Sequence, residues 1–234
     1  MNASRTARER VRAELIGEIT EVARTHLARD GAAGLSLRAV ARELGMASSA
    51  IYRYYPSRDD LLTALIIDGY NAVGDAVETA EAACARDDHL GRWLAICHAV
   101  RHWALAHPHE YALLHGSPVP GYSAPQDTIA PAMRDAVVFG RVIGDAHREG
   151  LLDPPGGYPP PPESFGADAE GIRDAVLPGV PDDIVARAVT AWPGLYGAVS
   201  FELFGQFNNV ITDRAATFDY AMRGLGRFIG LPEH

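Results

Sequence analysis

The sequence contains no lysine, so all 21 of its basic residues are arginine. It has only two cysteines, Cys84 and Cys97, and their spacing does not match a metal-binding motif. No apolar run is long enough to cross a bilayer, and the charged N-terminus is not followed by an apolar signal segment. We therefore expect a cytoplasmic protein with two incidental thiols and no membrane contact.

Signatures of catalysis are missing as well. The sequence has no nucleophile elbow, no phosphate-binding glycine loop, and no paired-carboxylate or metal motif in a supporting context. These absences argue against a helical enzyme. We predict no catalytic residue, no resident metal and no cofactor.

The net charge of −9 is unevenly distributed along the chain. Residues 1–60 hold ten Arg and eight Asp or Glu, which gives +2, whereas the remaining residues hold eleven Arg and 22 acids, which gives −11. A weakly positive segment on an acidic body is what a localised nucleic-acid contact needs, and arginine suits phosphate and guanine contacts.

Helical periodicity runs through most of the chain, and neither a strand pair nor an internal repeat is apparent. The predicted helices cover residues 11–30, 37–44, 48–54, 57–85, 89–106, a short stretch from Pro108, 126–149, 182–207 and 213–228. One short helix is the most that we expect within 164–181. The proline run in 153–163 is predicted to be solvated or polyproline-like.

This pattern predicts an all-α fold with a small head, a linking helix and a helical body. We place the head in residues 1–56, the linking helix in 57–85, and the ligand-binding and dimerisation domain in 86–234.

The most informative stretch is residues 35–62, LSLRAVARELGMASSAIYRYYPSRDDLL. Ser36 is the predicted cap of a short helix, Gly45 supplies a turn, and a second short helix stops before Pro56. A third helix starts at Ser57. Two short helices joined by such a turn form a helix-turn-helix, whose second helix enters the major groove of DNA.

The ordered set of residues in this stretch resembles the head of the TetR family of bacterial regulators. The matching residues are Ser36, Gly45, Tyr52, Tyr55, Pro56, Arg58, Asp59, Asp60 and Leu61. The resemblance spans roughly residues 10–62 and implies an operator-binding repressor.

The resemblance also assigns individual roles in DNA binding. Arg38 matches the position where the first short helix meets DNA, and Tyr52 and Arg58 match phosphate contacts. Tyr54 matches a second backbone or base contact, while Tyr55 matches an aromatic residue of the head's core. The complete predicted DNA-binding set is Ser36, Arg38, Ser48, Ser49, Ala50, Tyr52, Tyr54 and Arg58.

Two departures from the family pattern affect base recognition. Ala47 replaces the usual Ser or Thr cap of the recognition helix, and Ser48 stands where a longer polar side chain is common. Base recognition is therefore expected to depend on Arg38, the serines and DNA shape. In the alternative interpretation, the tyrosines are core residues, and Arg38 and Arg58 are solvated surface charges.

The body is expected to carry dimerisation and ligand binding. Its segment AWPGLYGAVSFELFGQF resembles a TetR subgroup with Trp, His-Gly and Glu-Leu-x-Gly in the penultimate helix, with Tyr196 in place of the His. Family membership implies a homodimer built on the last two helices, although their aromatics could instead fill the monomer's core. It also implies an unidentified small-molecule effector, whose predicted contacts are Trp93, Ile96, Val100, Trp103, Tyr111, Met133, Val137, Trp192 and Tyr196.

Two alternatives to an effector-controlled DNA-binding regulator remain open. His98 and His102 are four residues apart on one helix, a spacing that can hold Zn or Ni, so a metal-responsive regulator is the first. The second is a helical interaction module that does not bind DNA. An Arg38→Ala substitution separates that module from a DNA reader.

Overall fold

The computed structural model describes the backbone of residues 2–233 and the side chains of residues 8–233. Within this range all regular secondary structure is helical, without strands, and the all-α prediction is confirmed. The helices are α1 Asn2–Gly34, α2 Leu37–Glu43, α3 Ser48–Ile51, α4 Arg58–Ala82, α5 His89–Ala106, α6 Pro108–His115, α7 Ile129–Ala132, α8 Arg134–Arg148, α9 Phe165–Ala175, α10 Asp182–Leu203 and α11 Arg214–Ile229. None of them combines the length and hydropathy needed to span a bilayer.

Several predicted helix boundaries are wrong. Helix α1 spans Asn2–Gly34 instead of 11–30, with a non-helical φ of +70° at Gly31 within it. The single helix predicted over 126–149 is a 3₁₀ turn followed by α7 and α8. The recognition helix α3 ends at Ile51 instead of residue 54, although the Tyr54 and Tyr55 N–H groups still donate to the Ile51 carbonyl. Helix α10 ends at Leu203 instead of residue 207, and Gly205 beyond it has φ of +83°.

The proline run is anchored rather than freely solvated at its start. The Asp153 N–H donates to the Gly230 carbonyl at 2.9 Å, and Arg187 donates to the Pro155 carbonyl at 3.0 Å. The Arg187 guanidinium also lies 5.0 Å from the ring centres of both Tyr158 and Phe228. Cation–π contacts and carbonyl bonds thus hold this segment on α10 and α11.

The chain forms two compact units. The first unit comprises Met1–Tyr70 and His107–Pro131, and the second comprises Asn71–Ala106 and Ala132–His234. Helix α4 contributes its first half to the first unit and its second half to the second unit. The domain boundaries predicted at residues 56 and 85 divide the chain by function rather than by compactness, and they stay predictions.

An apolar core holds the first unit together. Ile19 of α1, Val40 of α2, Ile51 of α3 and Leu61 of α4 are each 0% exposed. Burying side chains of this size stabilises a fold by about 1.5–3 kcal/mol each. Four helices, one of them a single turn long, therefore share one core.

The second unit combines an apolar core with buried charge. The Trp93 indole N–H donates to the Met222 carbonyl at 2.7 Å, which joins α5 to α11. Arg101 of α5 and Glu202 of α10 are both buried and form two hydrogen bonds of 2.7 Å. Such pairs are stable only when their hydrogen bonds are complete, because desolvating an unpaired charge is costly.

The first unit should lose stability in mild acid because of His115. Burial lowers the pKa of this imidazole from 6.5 to about 4. Between these two pH values the unfolded chain takes up a proton that the folded chain does not, so the free energy of unfolding falls as the pH decreases. The full loss is about 3 kcal/mol.

Urea denaturation at pH 7 and pH 4.5 measures this loss, and His115→Gln should reduce it because the variant has no imidazole to titrate. His102→Gln, at an exposed position on α5, is the matched control and should leave the loss unchanged. An identical loss in wild type and His115→Gln would contradict the assignment.

Candidate DNA-binding site

The helix-turn-helix consists of α2, the turn at Gly45 and α3. Gly45 has φ of +66°, a conformation that other residues adopt only with strain, which explains the glycine predicted there. The Gly45 N–H donates to the Arg42 carbonyl at 3.2 Å, and the Met46 N–H to the Ala41 carbonyl at 2.8 Å. These bonds end α2 and redirect the chain into α3.

The caps of the three helices differ in strength. Ser36 precedes α2 at the N-cap position, but its side chain makes no capping hydrogen bond. Ala47 precedes α3 and has no side-chain acceptor. At the start of α4, the Ser57 hydroxyl accepts from the Asp60 N–H at 3.1 Å, and the Asp60 carboxylate accepts from the Ser57 N–H at 2.8 Å. Helix α4 therefore starts with a reciprocal capping box, and the helix start predicted at Ser57 is confirmed.

The predicted contact residues of α2 and α3 divide between an outer and an inner face. Ser48, Ser49 and Arg38 are exposed, and Ala50 is half-buried beside the fully buried Ile51. The polar side of α3 thus faces outward while Ile51 fills the core.

The three tyrosines that follow α3 have different surroundings. Tyr52 is 41% exposed, whereas Tyr55 is 8% exposed and belongs to the core, as predicted. Tyr54 is half-buried, and the Arg12 guanidinium lies 5.2 Å from its ring centre. Tyr52 is therefore the one of the three whose hydroxyl is best placed to reach a phosphate.

Arg58 makes contacts that the sequence did not indicate. Its Nη2 donates to the Ala32 carbonyl at 2.7 Å and its Nε donates to the Leu35 carbonyl at 3.2 Å. These acceptors lie at the end of α1 and just before α2. Arg58 thus fixes the entry to the helix-turn-helix, and its predicted phosphate contact stays a prediction.

Ion pairs hold α1 against the rest of the first unit. His26 is 2% exposed and its Nε2 lies 2.7 Å from Glu43 of α2. Arg24 lies 3.0 Å from Asp68 of α4 and 3.5 Å from Glu110 of α6. Burial raises the pKa of Asp68 above its usual value, and Arg24 opposes that shift. These contacts keep α1 behind the helix-turn-helix.

Two exposed arginines were missed by the sequence analysis. Arg42 is in the last turn of α2, and Arg53 is the second residue after the end of α3. Both belong to the elements that carry the predicted contacts. The net charge of residues 1–60 was the only signal that included them.

The predicted effector contacts do not converge on one place. Trp93, Ile96, Val100 and Trp103 are 0–7% exposed in the core of the second unit, whereas Tyr111 is buried in the first unit. Met133 precedes α8, and Val137 is 41% exposed on that helix. The set as a whole stays a prediction.

The Trp192 and Tyr196 rings of α10 pack against each other at an interplanar angle of 56°, with ring centres 5.1 Å apart. The Tyr196 hydroxyl donates to the buried carboxylate of Asp135 on α8. Burial raises the pKa of Asp135, and hydrogen bonds from Tyr196 and the Ala136 N–H oppose the rise. These two aromatics are thus fixed at the junction of α8 and α10.

Of the two histidines considered for a metal site, His98 is bonded within the protein and His102 is exposed. His98 Nε2 lies 3.0 Å from Asp219 of α11, and the His98 and His102 rings are 6.1 Å apart. Among the described residues, no three His, Cys, Asp or Glu side chains are grouped so that they could hold a metal ion.

Helix α10 presents an uncharged outer face. Beyond Asp183 its charged residues are Arg187 and Glu202, which are 6% and 8% exposed. The side chains that reach solvent on this helix and just after it include Val189, Thr190, Pro193, Phe201 and Phe204. On α11, Tyr220 is 80% exposed. An uncharged surface of this kind is typical of an interface.

Comparison with known proteins bears on both units. Residues 19–65 match the family described as "Bacterial regulatory proteins, tetR family", and residues 93–225 match "Tetracyclin repressor-like, C-terminal domain". The HTH-type transcriptional regulator Rv1816 of Mycobacterium tuberculosis is 41% identical over 228 residues, which cover 94% of this chain and 92% of that protein.

Solved structures agree with the sequence comparisons. The regulatory protein SCO4313 superposes with a TM-score of 0.76 at 34% identity, over 93% of this chain and 97% of that one. A tetR-family regulatory protein from Rhodococcus RHA1 shares the fold, with a TM-score of 0.61 at 18% identity over 93% and 98% of the two chains. The chain therefore belongs to the TetR family of bacterial DNA-binding transcriptional regulators.

Proposed function

We propose that this protein is a repressor that binds a near-palindromic operator as a homodimer and is released by a small molecule bound in its body. The observation that carries the proposal is the division of α3, whose Ile51 is 0% exposed while Ser48 and Ser49 are exposed. A helix held this way can lie in the major groove, and a dimer would place two such helices about 34 Å apart.

The exposed side chains suit a particular way of reading DNA. Serine hydroxyls reach only a short distance and discriminate weakly between bases, whereas Arg38 can donate two parallel bonds to guanine. Recognition then depends on Arg38, backbone contacts from Tyr52 and the shape of the operator.

Fluorescence anisotropy with DNA from upstream of the protein's own gene tests this proposal. The account expects binding that is at least 1,000-fold tighter than to random DNA of the same length at the same salt concentration. Equal affinity for the two DNAs would contradict operator recognition. An Arg38→Ala variant should bind the operator more weakly, with Arg148→Ala, at an exposed position of α8, as the control.

The outer face of α10 supports the proposal that the protein is a dimer. TetR-family regulators act as dimers, and this helix carries no exposed charge after Asp183. Small residues such as Gly197 permit a close approach of a second helix. We place the interface on α10 and α11, with Phe201, Phe204 and Tyr220 as contacts.

The position of the interface can be tested at Gly197. A Cβ added there meets no atom within 4 Å, so Gly197→Glu should leave the protomer folded while adding a charge to the interface. Sedimentation should show a dimer for wild type and a monomer for this variant.

Gly171→Glu is the matched control, because this α9 glycine is exposed and its added Cβ also meets nothing within 4 Å. It should remain dimeric. A dimer of unchanged stability in Gly197→Glu would place the interface elsewhere.

The Tyr52 hydroxyl should contribute to affinity for any DNA sequence. Tyr52→Phe removes one hydrogen bond to a charged phosphate oxygen, which is worth about 1.5–3 kcal/mol, so operator affinity should fall about tenfold or more. Anisotropy measures the loss. Tyr158→Phe, at a residue 48% exposed in the second unit, is the control and should bind DNA as wild type does. Unchanged binding by Tyr52→Phe would exclude the phosphate contact.

Arg58 is proposed to support DNA binding chiefly by fixing the head. A lysine has a single nitrogen and cannot reproduce donation from both Nε and Nη2. Arg58→Lys and Arg58→Ala should therefore both destabilise the first unit by about 1–3 kcal/mol and weaken operator binding.

The salt dependence of binding separates this role from a direct phosphate contact. Under the proposal, the slope of log K against log salt is the same in wild type and both variants. If Arg58→Lys bound as wild type while Arg58→Ala lost about one unit of slope, direct phosphate contact would be the correct role.

Release by a small molecule needs a connection between the body and the head. We propose the head in residues 1–56, the linking helix in 57–85 and the ligand-binding domain in 86–234, with the linking helix as the lever. Arg134 at the start of α8 supports this role, because it donates to Glu78 at 2.9 Å and to the Asn71 carbonyl at 3.0 Å on α4. The protein would act in the cytoplasm, where bacterial operators are.

A further inference from the structure

A small apolar cavity, open to solvent on one side, lies between α8, α9 and α10 in the second unit. Its volume is about 150 Å³. The walls are formed by Ala136, Phe139, Ile172, Val176, Leu177, Ala188, Val189 and Trp192. Seven of these side chains contain only carbon and hydrogen, and the eighth is an indole, so the walls offer no partner for a charged ligand.

The aromatic side of this cavity is fixed in place. The Phe139 and Trp192 ring centres are 5.4 Å apart, and Phe139 also packs 5.0 Å from the buried Trp93. Tyr196 supports Trp192 from the other side through its ring contact and its bond to Asp135. Fixed rings at this spacing present faces and edges on which another ring can pack.

The opposite wall is formed by the end of α9, which is pressed onto α8. A Cβ on Gly140 would lie 2.0 Å from the Val176 carbonyl oxygen, so only glycine allows this approach. Ile172, Val176 and Leu177 thereby face the aromatic wall. The cavity depends on this approach and is specific to the junction of the three helices.

We propose that this cavity binds a small uncharged aromatic molecule, of the size of one ring with a short alkyl substituent. A cavity of about 150 Å³ lined by apolar side chains has room for a benzene-sized ligand, and the exposed Val189 marks its opening. A carboxylate or ammonium group on the ligand would lose its hydration without gaining a partner. The cavity therefore selects against charged ligands.

We assign this cavity as the effector site of the repressor, and that assignment rests on the proposed function. The wall residues Ala136 and Phe139 are on α8, which begins at Arg134. Arg134 also donates to Asp75 at 2.5 Å and to Glu78 at 2.8 Å, both on α4. A ligand that displaces the start of α8 would therefore act on the linking helix through this guanidinium.

Toluene, benzoate and benzylammonium are matched probes, because each has one ring and one substituent. Two-dimensional ¹H–¹⁵N NMR of the full-length protein reports binding through the indole signal of Trp192, assigned by comparison with Trp192→Phe. Toluene should shift this signal in a saturable way, while the Trp103 signal stays unchanged. Benzoate and benzylammonium should bind at least tenfold more weakly.

The variant Ala136→Leu fills the cavity and should weaken toluene binding at least tenfold. Ala167→Leu adds the same side chain at an exposed position of α9 and should bind toluene as wild type does. The site is excluded if toluene causes no saturable shift up to its solubility, if the charged probes bind equally well, or if Ala136→Leu binds unchanged.

Operator binding is measured separately on the same samples. Toluene should weaken operator affinity at least fivefold in wild type and not in Ala136→Leu. Toluene binding without any effect on operator affinity would overturn the effector role, whereas loss of operator recognition with intact toluene binding would overturn only the proposed repressor.

Discussion

The burial of Ile51 is the interaction on which the DNA-binding site depends. Helix α3 has four residues, and a helix of this length has no stability of its own because nucleation costs more than one turn of hydrogen bonds returns. Its N-cap, Ala47, cannot help, since alanine has no side-chain acceptor. The turn is held because Ile51 is inserted among Ile19, Val40 and Leu61. Because Ile51 is buried, Ser48 and Ser49 of the same turn remain exposed.

Arginine side chains join neighbouring helices in both units. In the first unit, Arg58 and Arg24 use their guanidinium groups to tie helix ends and neighbouring helices together. In the second unit, Arg92 is 0% exposed and donates to Glu81 of α4 at 2.7 Å and to Asp145 of α8 at 2.6 Å. Together with Arg134, this residue attaches the second half of α4 to the body. These contacts support the proposal that α8 acts on α4.

Local sequence chemistry was enough to predict the head. Gly45, Pro56 and the Ser57–Asp60 capping box each act within a few residues of their own position, so they can be recognised without knowledge of tertiary contacts.

Contacts distant in sequence could not be predicted from the same information. The bonds from Arg58 to the Ala32 and Leu35 carbonyls join residues more than 20 positions apart, and nothing in the local pattern marks them. The sequence does not distinguish Trp93 from Trp192. In the structure Trp93 is buried in the core, whereas Trp192 lines a cavity. Long-range packing decides such differences, and periodicity reports only which face of a helix is apolar.

Hydrogen–deuterium exchange with and without operator DNA tests the central claim most directly. If α3 lies in the major groove, backbone amides in residues 47–54 should exchange more slowly with operator than with random DNA at matched salt, while α9 should be unchanged. Equal exchange in residues 47–54 under both conditions, with protection confined to other segments, would contradict the claim that this helix reads DNA.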